Sequence, residues 1–190
     1  MRRFKNILFV FEASLDNDAA LTRAVDLAER NGAALTLVHA LEVTPGHDAV
    51  ETGWGGLLTD WRDQLEAVAA PVAERGVEVT TEVLTGIPFR EVIGYVQRRG
   101  IDLVVKAAAK PGGPRGLLFG SLDLHLMRKC PAPVWVHQAP REGGGYGRIM
   151  AAIDVGDSSH LGRAMTRFIL DLATSLGQLD DSDVHVVSSE

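Results

Sequence analysis

Three sequence features could contact a small ligand: two charged residues that follow apolar runs, and a glycine–serine pair. Glu12 directly follows an apolar run of the kind that forms a buried strand, and Lys106 follows another. Ligands of open α/β sheets bind beyond the carboxyl ends of the strands, so Glu12 is a candidate ligand contact. Gly120-Ser121 opens a stretch with helical spacing, where a glycine backbone and a helix N-terminus favour an anion. We further hypothesise that Lys106 pairs with Glu12 across the strand ends.

Each of these features also has an explanation that involves no ligand. Ser121 is a preferred N-cap residue and would stabilise its helix whether or not an anion is bound. Lys110 and Arg115 could support an anion site, but charges in such a loop are more often simply solvated. For Glu12, a functional and a structural role are both left open.

The remaining reactive residue types do not indicate catalysis or a metal site. The histidines His39, His125, His137 and His185 show no spacing typical of metal ligands. Ser158, Ser159 and His160 are neighbours in sequence, whereas a catalytic triad is defined by geometry. We therefore expect no catalytic residue and no metal, and a protein that is not an enzyme.

Composition limits the possible partners and compartment. The chain has 190 residues, 46% of them hydrophobic, with a formal net charge of -6. Nucleic-acid binding usually needs a concentrated basic face, and here the basic residues are scattered. The first apolar run ends at Glu12, far short of a membrane span. Cys130 is the single cysteine, which is typical of a protein in the reducing cytoplasm. We therefore predict a cytoplasmic protein, and from its charge and hydropathy we expect no nucleic-acid or membrane partner.

Apolar runs and helical periodicities alternate along the first 140 residues. Alternating strands and helices indicate a mostly parallel sheet with helices on both faces. We therefore predict an α/β fold with an open, mostly parallel five-stranded sheet. A long loop is expected over residues 41–59 and a Gly/Pro-rich loop over 110–116. The predicted strands cover residues 7–11, 33–39, 77–84, 101–105 and 133–137.

The opening strand–helix–strand pattern occurs a second time. Residues 148–154 again form an apolar run that ends in an acid, Asp154, and a periodic helix and another short apolar run follow. A lone unit of this kind buries little surface. We predict a complete domain over residues 1–140, a Gly-rich linker over 141–147, and over 148–190 the first part of a second domain, cut short or completed by another chain.

The acid after the first strand, the Gly120-Ser121 helix start and the Pro-Val-Trp-Val strand together resemble the universal stress protein family. The repeat is similar to its tandem-domain branch, and residues 102–107 and 125–135 resemble the E-type tandem proteins. The resemblance implies an adenine nucleotide alpha hydrolase-like, or flavodoxin-like, layering. It also implies a last strand that pairs antiparallel with a partner domain, which makes Val134, Trp135 and Val136 the candidates for dimerisation or domain pairing. The alternative is an edge strand covered by the loop 41–59.

ATP-binding members of this family carry Gly-x-x-Gly, nine residues, then Gly-Ser. Counted back from Gly120, Lys110 stands where the second glycine belongs and Ala107 where the first belongs. Glu12 replaces the family's aspartate, which Asp154 retains in the second unit. The departures predict a non-enzymatic stress-response module with a degenerate ATP motif and no cofactor. It would act through domain pairing, with a small apolar or anionic ligand as an option. The alternatives are an ATP-binding switch or weak ATPase, and an unrelated enzyme on the same sheet.

Overall fold

The computed structural model describes residues 3–42, 54–108, 121–138 and 145–188. The chain divides into two compact units, residues 2–138 and residues 139–190. Each unit is described by itself below. Among the described residues, no helix combines the length and the apolar character that crossing a membrane would require.

The first unit contains a five-stranded parallel sheet in the order β3-β2-β1-β4-β5, as predicted. Strands and helices alternate along the chain. The elements are β1 (Asn6–Phe11), α1 (Asp18–Asn31), β2 (Ala34–Glu42), α2 (Trp54–Glu74), β3 (Val79–Gly86), α3 (Pro88–Arg99), β4 (Leu103–Ala107), α4 (Ser121–Lys129) and β5 (Val134–His137).

The helices cover both faces of this sheet. Leu8 and Val10 of β1 belong to a buried cluster that includes residues of α3 and α4. Phe11, which points to the opposite face because strand residues alternate, contacts the ring of Trp61 in α2. Burial on both faces explains why β1 and β4 are continuous apolar runs in the sequence.

Helix α2 begins earlier than predicted. It starts at Trp54, and β2 continues to Glu42, so the expectation of a loop over residues 41–59 is wrong for its first two and its last six positions. Gly55 and Gly56 suggested a loop because each glycine weakens a helix by about 1 kcal/mol. Burial of Leu65 and the ring contacts of Trp61 further along the same helix outweigh that cost. Residues 43–53 of the predicted loop lie outside the described residues.

The second unit forms the predicted strand–helix–strand pattern. It consists of β6 (Arg148–Ile153), α5 (His160–Asp180) and β7 (Asp183–Ser188), and its two strands pair in parallel. Ser159 caps α5 by accepting a hydrogen bond from the Gly162 amide at 3.0 Å. One sheet face is largely bare, with Met150 71% and Val187 39% exposed. That this unit opens a second domain stays a prediction.

Candidate functional site

A cleft of about 460 Å³ opens where β1 and β2 end and where α3 and α4 begin. This is the edge of a parallel sheet at which ligands commonly bind, and the volume lies within the usual range of ligand pockets. The lining combines acidic, aromatic and aliphatic side chains. The described lining residues are Val10, Phe11, Glu12, Ala13, Ser14, His39, Ala40, Glu42, Ile87, Pro88, Phe89, Ser121, Leu122 and His125.

Beneath the cleft, Lys106 is enclosed by oxygen atoms. Its side chain is 1% exposed. The Lys106 Nζ atom lies 2.5 Å from Glu12 Oε1, the contact hypothesised from the sequence, although Glu12 Oε1 is not aligned as a hydrogen-bond acceptor. Nζ also donates a hydrogen bond to Asp123 Oδ1 and another, of 2.9 Å, to the carbonyl oxygen of Ala107. Nζ therefore makes two hydrogen bonds and one close ion-pair contact, all with oxygen atoms of the first unit.

The sheet register explains why these three side chains meet. Val10 is paired with Lys106 in the neighbouring strands β1 and β4. Lys106 shares a sheet face with Val104, which packs in the cluster with Leu126 of α4. Asp123 lies in the first turn of the same helix and is fully buried. A lysine on the α4 side of β4 therefore points at the carboxylate that α4 supplies.

His39 closes the β2 side of the cleft. Its ring stacks on Trp61, with 3.6 Å between ring centroids and 18° between planes. Its Nδ1 lies 2.9 Å from the carbonyl oxygen of Phe11. Because a carbonyl can only accept, Nδ1 carries the proton of this hydrogen bond. Burial lowers the pKa of His39, against the opposing effects of that hydrogen bond and of the Glu12 charge, and so favours the neutral ring.

A second aromatic pair lines the opposite wall. Phe89 of α3 stacks on His125 of α4 with 4.3 Å between centroids. Lys129 Nζ lies 4.9 Å from the Phe89 centroid, in the range of a cation–π contact. This pair connects the first turn of α3 with the second turn of α4.

The structure brings only part of the predicted site together. Glu12 and Ser121 line the cleft, while Lys106 and Ala107 lie buried beneath it. Ser121 is exposed and is the first residue of α4. Lys110 and Gly120 lie outside the described residues.

Sequence reasoning missed four residues of this region: Asp123, His39, Phe89 and His125. A signal for Asp123 was present, because a lysine after a buried strand requires a carboxylate partner and Asp123 is the acid of the next helix's first turn. The stacked rings carry no comparable signal, since ring contacts between distant elements depend on the fold.

Asp154 follows β6 of the second unit, and its side chain stabilises the loop that comes after it. Asp154 Oδ1 accepts hydrogen bonds from the backbone amides of Gly156, at 2.8 Å, and Asp157, at 3.3 Å. It also lines a cavity of about 580 Å³ beside α5. Its predicted role as the ligand-contacting acid of the second unit stays a prediction.

The predicted pairing strand, β5, is an edge strand of the described sheet. Val134, Trp135 and Val136 are all half-buried. Arg23 lies over the Trp135 ring at 5.8 Å from its centroid. Sheets are extended at their edge strands, so the position of β5 is compatible with pairing. Within the residues the structure describes, no group of three or more His, Cys, Asp and Glu side chains could hold a metal ion.

Comparison with known proteins agrees with the predicted resemblance. The model of the universal stress protein family matches residues 3–138. Universal stress protein E of Escherichia coli K12 is 28% identical over 206 aligned positions, which cover all of this chain. The chain spans 62% of the length of that relative. A relative from Methanocaldococcus jannaschii is 23% identical over 73% of this chain and 85% of its own length.

Solved structures show the same fold. A putative universal stress protein from Pseudomonas aeruginosa superposes with a TM-score of 0.77 at 24% identity, over 98% of this chain and 62% of its own. The universal stress protein UspA from Lactobacillus plantarum gives a TM-score of 0.60 at 27% identity, over 72% of this chain and 99% of its own. Because the family model covers more than half of the residues, the chain belongs to the universal stress protein family, a membership that supports a role in the response to stress.

Proposed function

We propose that this protein is a non-enzymatic stress-response module whose first unit does not use ATP as its ligand. It acts through domain pairing and through a small molecule bound in the cleft beside Glu12. The observation that carries the proposal is the enclosure of Lys106 Nζ by oxygens of Glu12, Asp123 and Ala107.

This enclosure supports the loss of ATP binding in two ways. Lys106 Nζ is buried, donates hydrogen bonds to Asp123 and to the Ala107 carbonyl oxygen, and lies 2.5 Å from Glu12 Oε1, so it would have to give up an internal contact to reach a phosphate oxygen. Breaking one would leave the fully buried Asp123 carboxylate poorly compensated, which is costly in a protein interior. In addition, Ala107 and Lys110 replace the two glycines of the family's phosphate-binding pattern.

The domain-pairing part of the proposal rests on β5. This four-residue strand lies at the edge of the described sheet, the position at which a strand from a second domain or a second copy would extend it. The cytoplasmic location is proposed on the basis of the single cysteine, Cys130, which has no disulfide.

Titration calorimetry with Mg-ATP tests the proposal. We expect no heat of binding for the whole chain at micromolar concentrations of nucleotide, with the fold checked by circular dichroism in the same buffer. Adenosine titrated in parallel separates the base from the phosphates: binding of adenosine alone would locate the defect in phosphate binding. Low-micromolar binding of Mg-ATP would refute the proposal.

An ATP-binding switch or weak ATPase is the second candidate function. The cleft of about 460 Å³ at the strand ends favours it, since that volume suits a nucleoside. Two solved neighbours were determined with nucleotides: a universal stress protein with cAMP, at 18% identity and a TM-score of 0.51, and one from Archaeoglobus fulgidus with dAMP, at 16% and 0.53. The same calorimetric titration decides between the two candidates.

A further inference from the structure

We infer that the cleft beside Glu12 and His39 binds a small organic cation: an amidinium or ammonium group carried on a planar apolar body. This inference rests on the proposed function, because it names the class of molecule that occupies the cleft in place of ATP. Five properties of the described residues lead to it.

The charges that line the cleft are negative. Glu12 and Glu42 are the charged residues among the described lining residues, which include no lysine or arginine. Lys106 lies below this surface with 1% of its side chain exposed, and the buried Asp123 balances its charge. The surface offered to a ligand therefore carries two carboxylates. A multiply charged anion would be repelled there, while a cation would gain charge-assisted hydrogen bonds.

His39 adds a neutral acceptor to the two carboxylates. The imidazole is 8% exposed and lines the cleft. Because Nδ1 donates to the Phe11 carbonyl oxygen, the neutral ring leaves Nε2 with a lone pair, and Nε2 makes no hydrogen bond within the described part of the chain. Nε2 is therefore an acceptor that a molecule in the cleft can reach. A ligand N–H group would satisfy it.

Glu12 also has an acceptor to spare. Its Oε1 faces Lys106, but its Oε2 makes no hydrogen bond to any residue that the structure describes. The side chain is 28% exposed and lines the cleft, so Oε2 is available to a bound molecule. Glu12 and His39 together thus present acceptors, which suits a ligand group that donates from two nitrogens.

The two helix N-termini at the cleft do not restore an anion site. Helix α3 begins with Pro88, which has no amide hydrogen to donate, and it carries Glu91 in its first turn. Helix α4 carries Asp123 in its first turn. A carboxylate at a helix N-terminus offsets the positive end of the helix dipole that would otherwise attract an anion.

The opposite wall suits the body of such a ligand. Ile87, Leu122 and the stacked rings of Phe89 and His125 provide aliphatic and aromatic surface across from the acceptors. A flat apolar group packs against such a wall, while the charged end reaches Glu12 and His39. The apolar wall and the polar wall together favour an aromatic amidine over a small hydrated metal ion or an aliphatic acid.

Benzamidine and benzoate are a matched pair of probes, because they have similar shape and opposite charge. We expect benzamidine to bind the whole chain and to shift the amide resonances of Glu12 and His39 in NMR titrations. Benzoate should bind at least about tenfold more weakly. E12Q should weaken benzamidine binding about tenfold or more, since it removes a hydrogen bond to a charged group. E42Q should weaken it less, and E78Q, an exposed carboxylate at the amino end of β3, should leave it unchanged.

The outcomes separate this inference from the proposed function. Benzoate binding as tightly as benzamidine, benzamidine binding that E12Q does not change, or no benzamidine binding at all would each overturn the inference. None of these results would affect the proposed loss of ATP binding, which the Mg-ATP titration tests. Should E12Q fold poorly, the loss of benzamidine affinity with added salt in the wild-type chain provides the second measurement, because only attraction to the carboxylates is screened.

Discussion

Replacing Lys106 with methionine should destabilise the first unit strongly. Methionine fills a similar volume but leaves Asp123, which is 0% exposed, without its ammonium partner. Removing one partner of a buried ion pair typically costs about 3–5 kcal/mol. Glu12 is 28% exposed and can be solvated, so most of this cost should come from Asp123. K106M should therefore lower the free energy of unfolding by about 3–5 kcal/mol, a large part of a typical domain's stability.

Urea denaturation followed by tryptophan fluorescence is a suitable assay. All three tryptophans, Trp54, Trp61 and Trp135, lie in the first unit, so the signal reports on that unit alone. K5M, which removes an exposed lysine, is the matched control and should change stability by less than about 0.5 kcal/mol.

The double variant K106M/D123L separates a missing partner from a lost contact. Replacing both charges of a buried pair with apolar groups is often neutral or stabilising, so the double variant should recover most of the stability that K106M loses. If K106M costs less than about 1 kcal/mol, or if K106M and D123L are additive, then Lys106 and Asp123 are not coupled in the interior and the reasoning fails.

Three further predictions concern pH, the nucleotide and assembly. Burial lowers the pKa of His39 from 6.5, so the neutral ring's contribution to stability is complete above about pH 6.5 and is lost as the pH falls below that value. H39F keeps a ring against Trp61 and should therefore flatten the fall in the urea midpoint between about pH 7 and 5. An unchanged dependence of the midpoint on pH would exclude this role of His39. The variant K106M/D123L/A107G/K110G should gain Mg-ATP binding that calorimetry can detect; continued absence of binding would show that the lysine and the missing glycines are not what prevents it. If β5 pairs between copies, W135E should reduce the molecular mass measured by sedimentation. M127E, at a 43% exposed position of α4, is the control and should leave that mass unchanged. Equal effects of the two variants would argue against β5 as the pairing strand.

The sequence was sufficient to predict the order of elements in the first unit, because the hydrophobic pattern and the glycines that end helices indicate the same element boundaries there. Parallel strands buried on both faces read as apolar runs, and Gly32 and Gly100 end helices with φ of 60° and 61°, conformations that glycine adopts easily. The start of α2 was mispredicted because Gly55 and Gly56 opposed a helix that distant contacts of Trp61 stabilise. Local propensity is a weak guide wherever packing between distant elements decides.

The site could be predicted only where the topology constrains it. Glu12 follows β1 and Lys106 is the fourth residue of the neighbouring parallel strand β4, so their proximity follows from the strand order. The stacking of His39 on Trp61 and of Phe89 on His125 depends on helix placement, which no local pattern in the sequence encodes. Asp123 lies between these cases, because the sequence shows an acid in the first turn of the next helix but does not show that its side chain reaches Lys106.

The position of Lys106 suggests how a ligand site can become part of the structure. A carboxylate at the end of β1 needs a positive or hydrogen-bonding partner, which a bound molecule or the protein itself can supply. Here the protein supplies a positive group from β4 and holds it with a second carboxylate from α4, so Glu12 Oε1 faces a cation without any ligand. The ligand then has to satisfy only what is left over, namely Glu12 Oε2, Glu42 and His39 Nε2, all of which are acceptors. The preference for a cation therefore comes from the carboxylates and the imidazole of the cleft, while the buried lysine engages only one oxygen of Glu12.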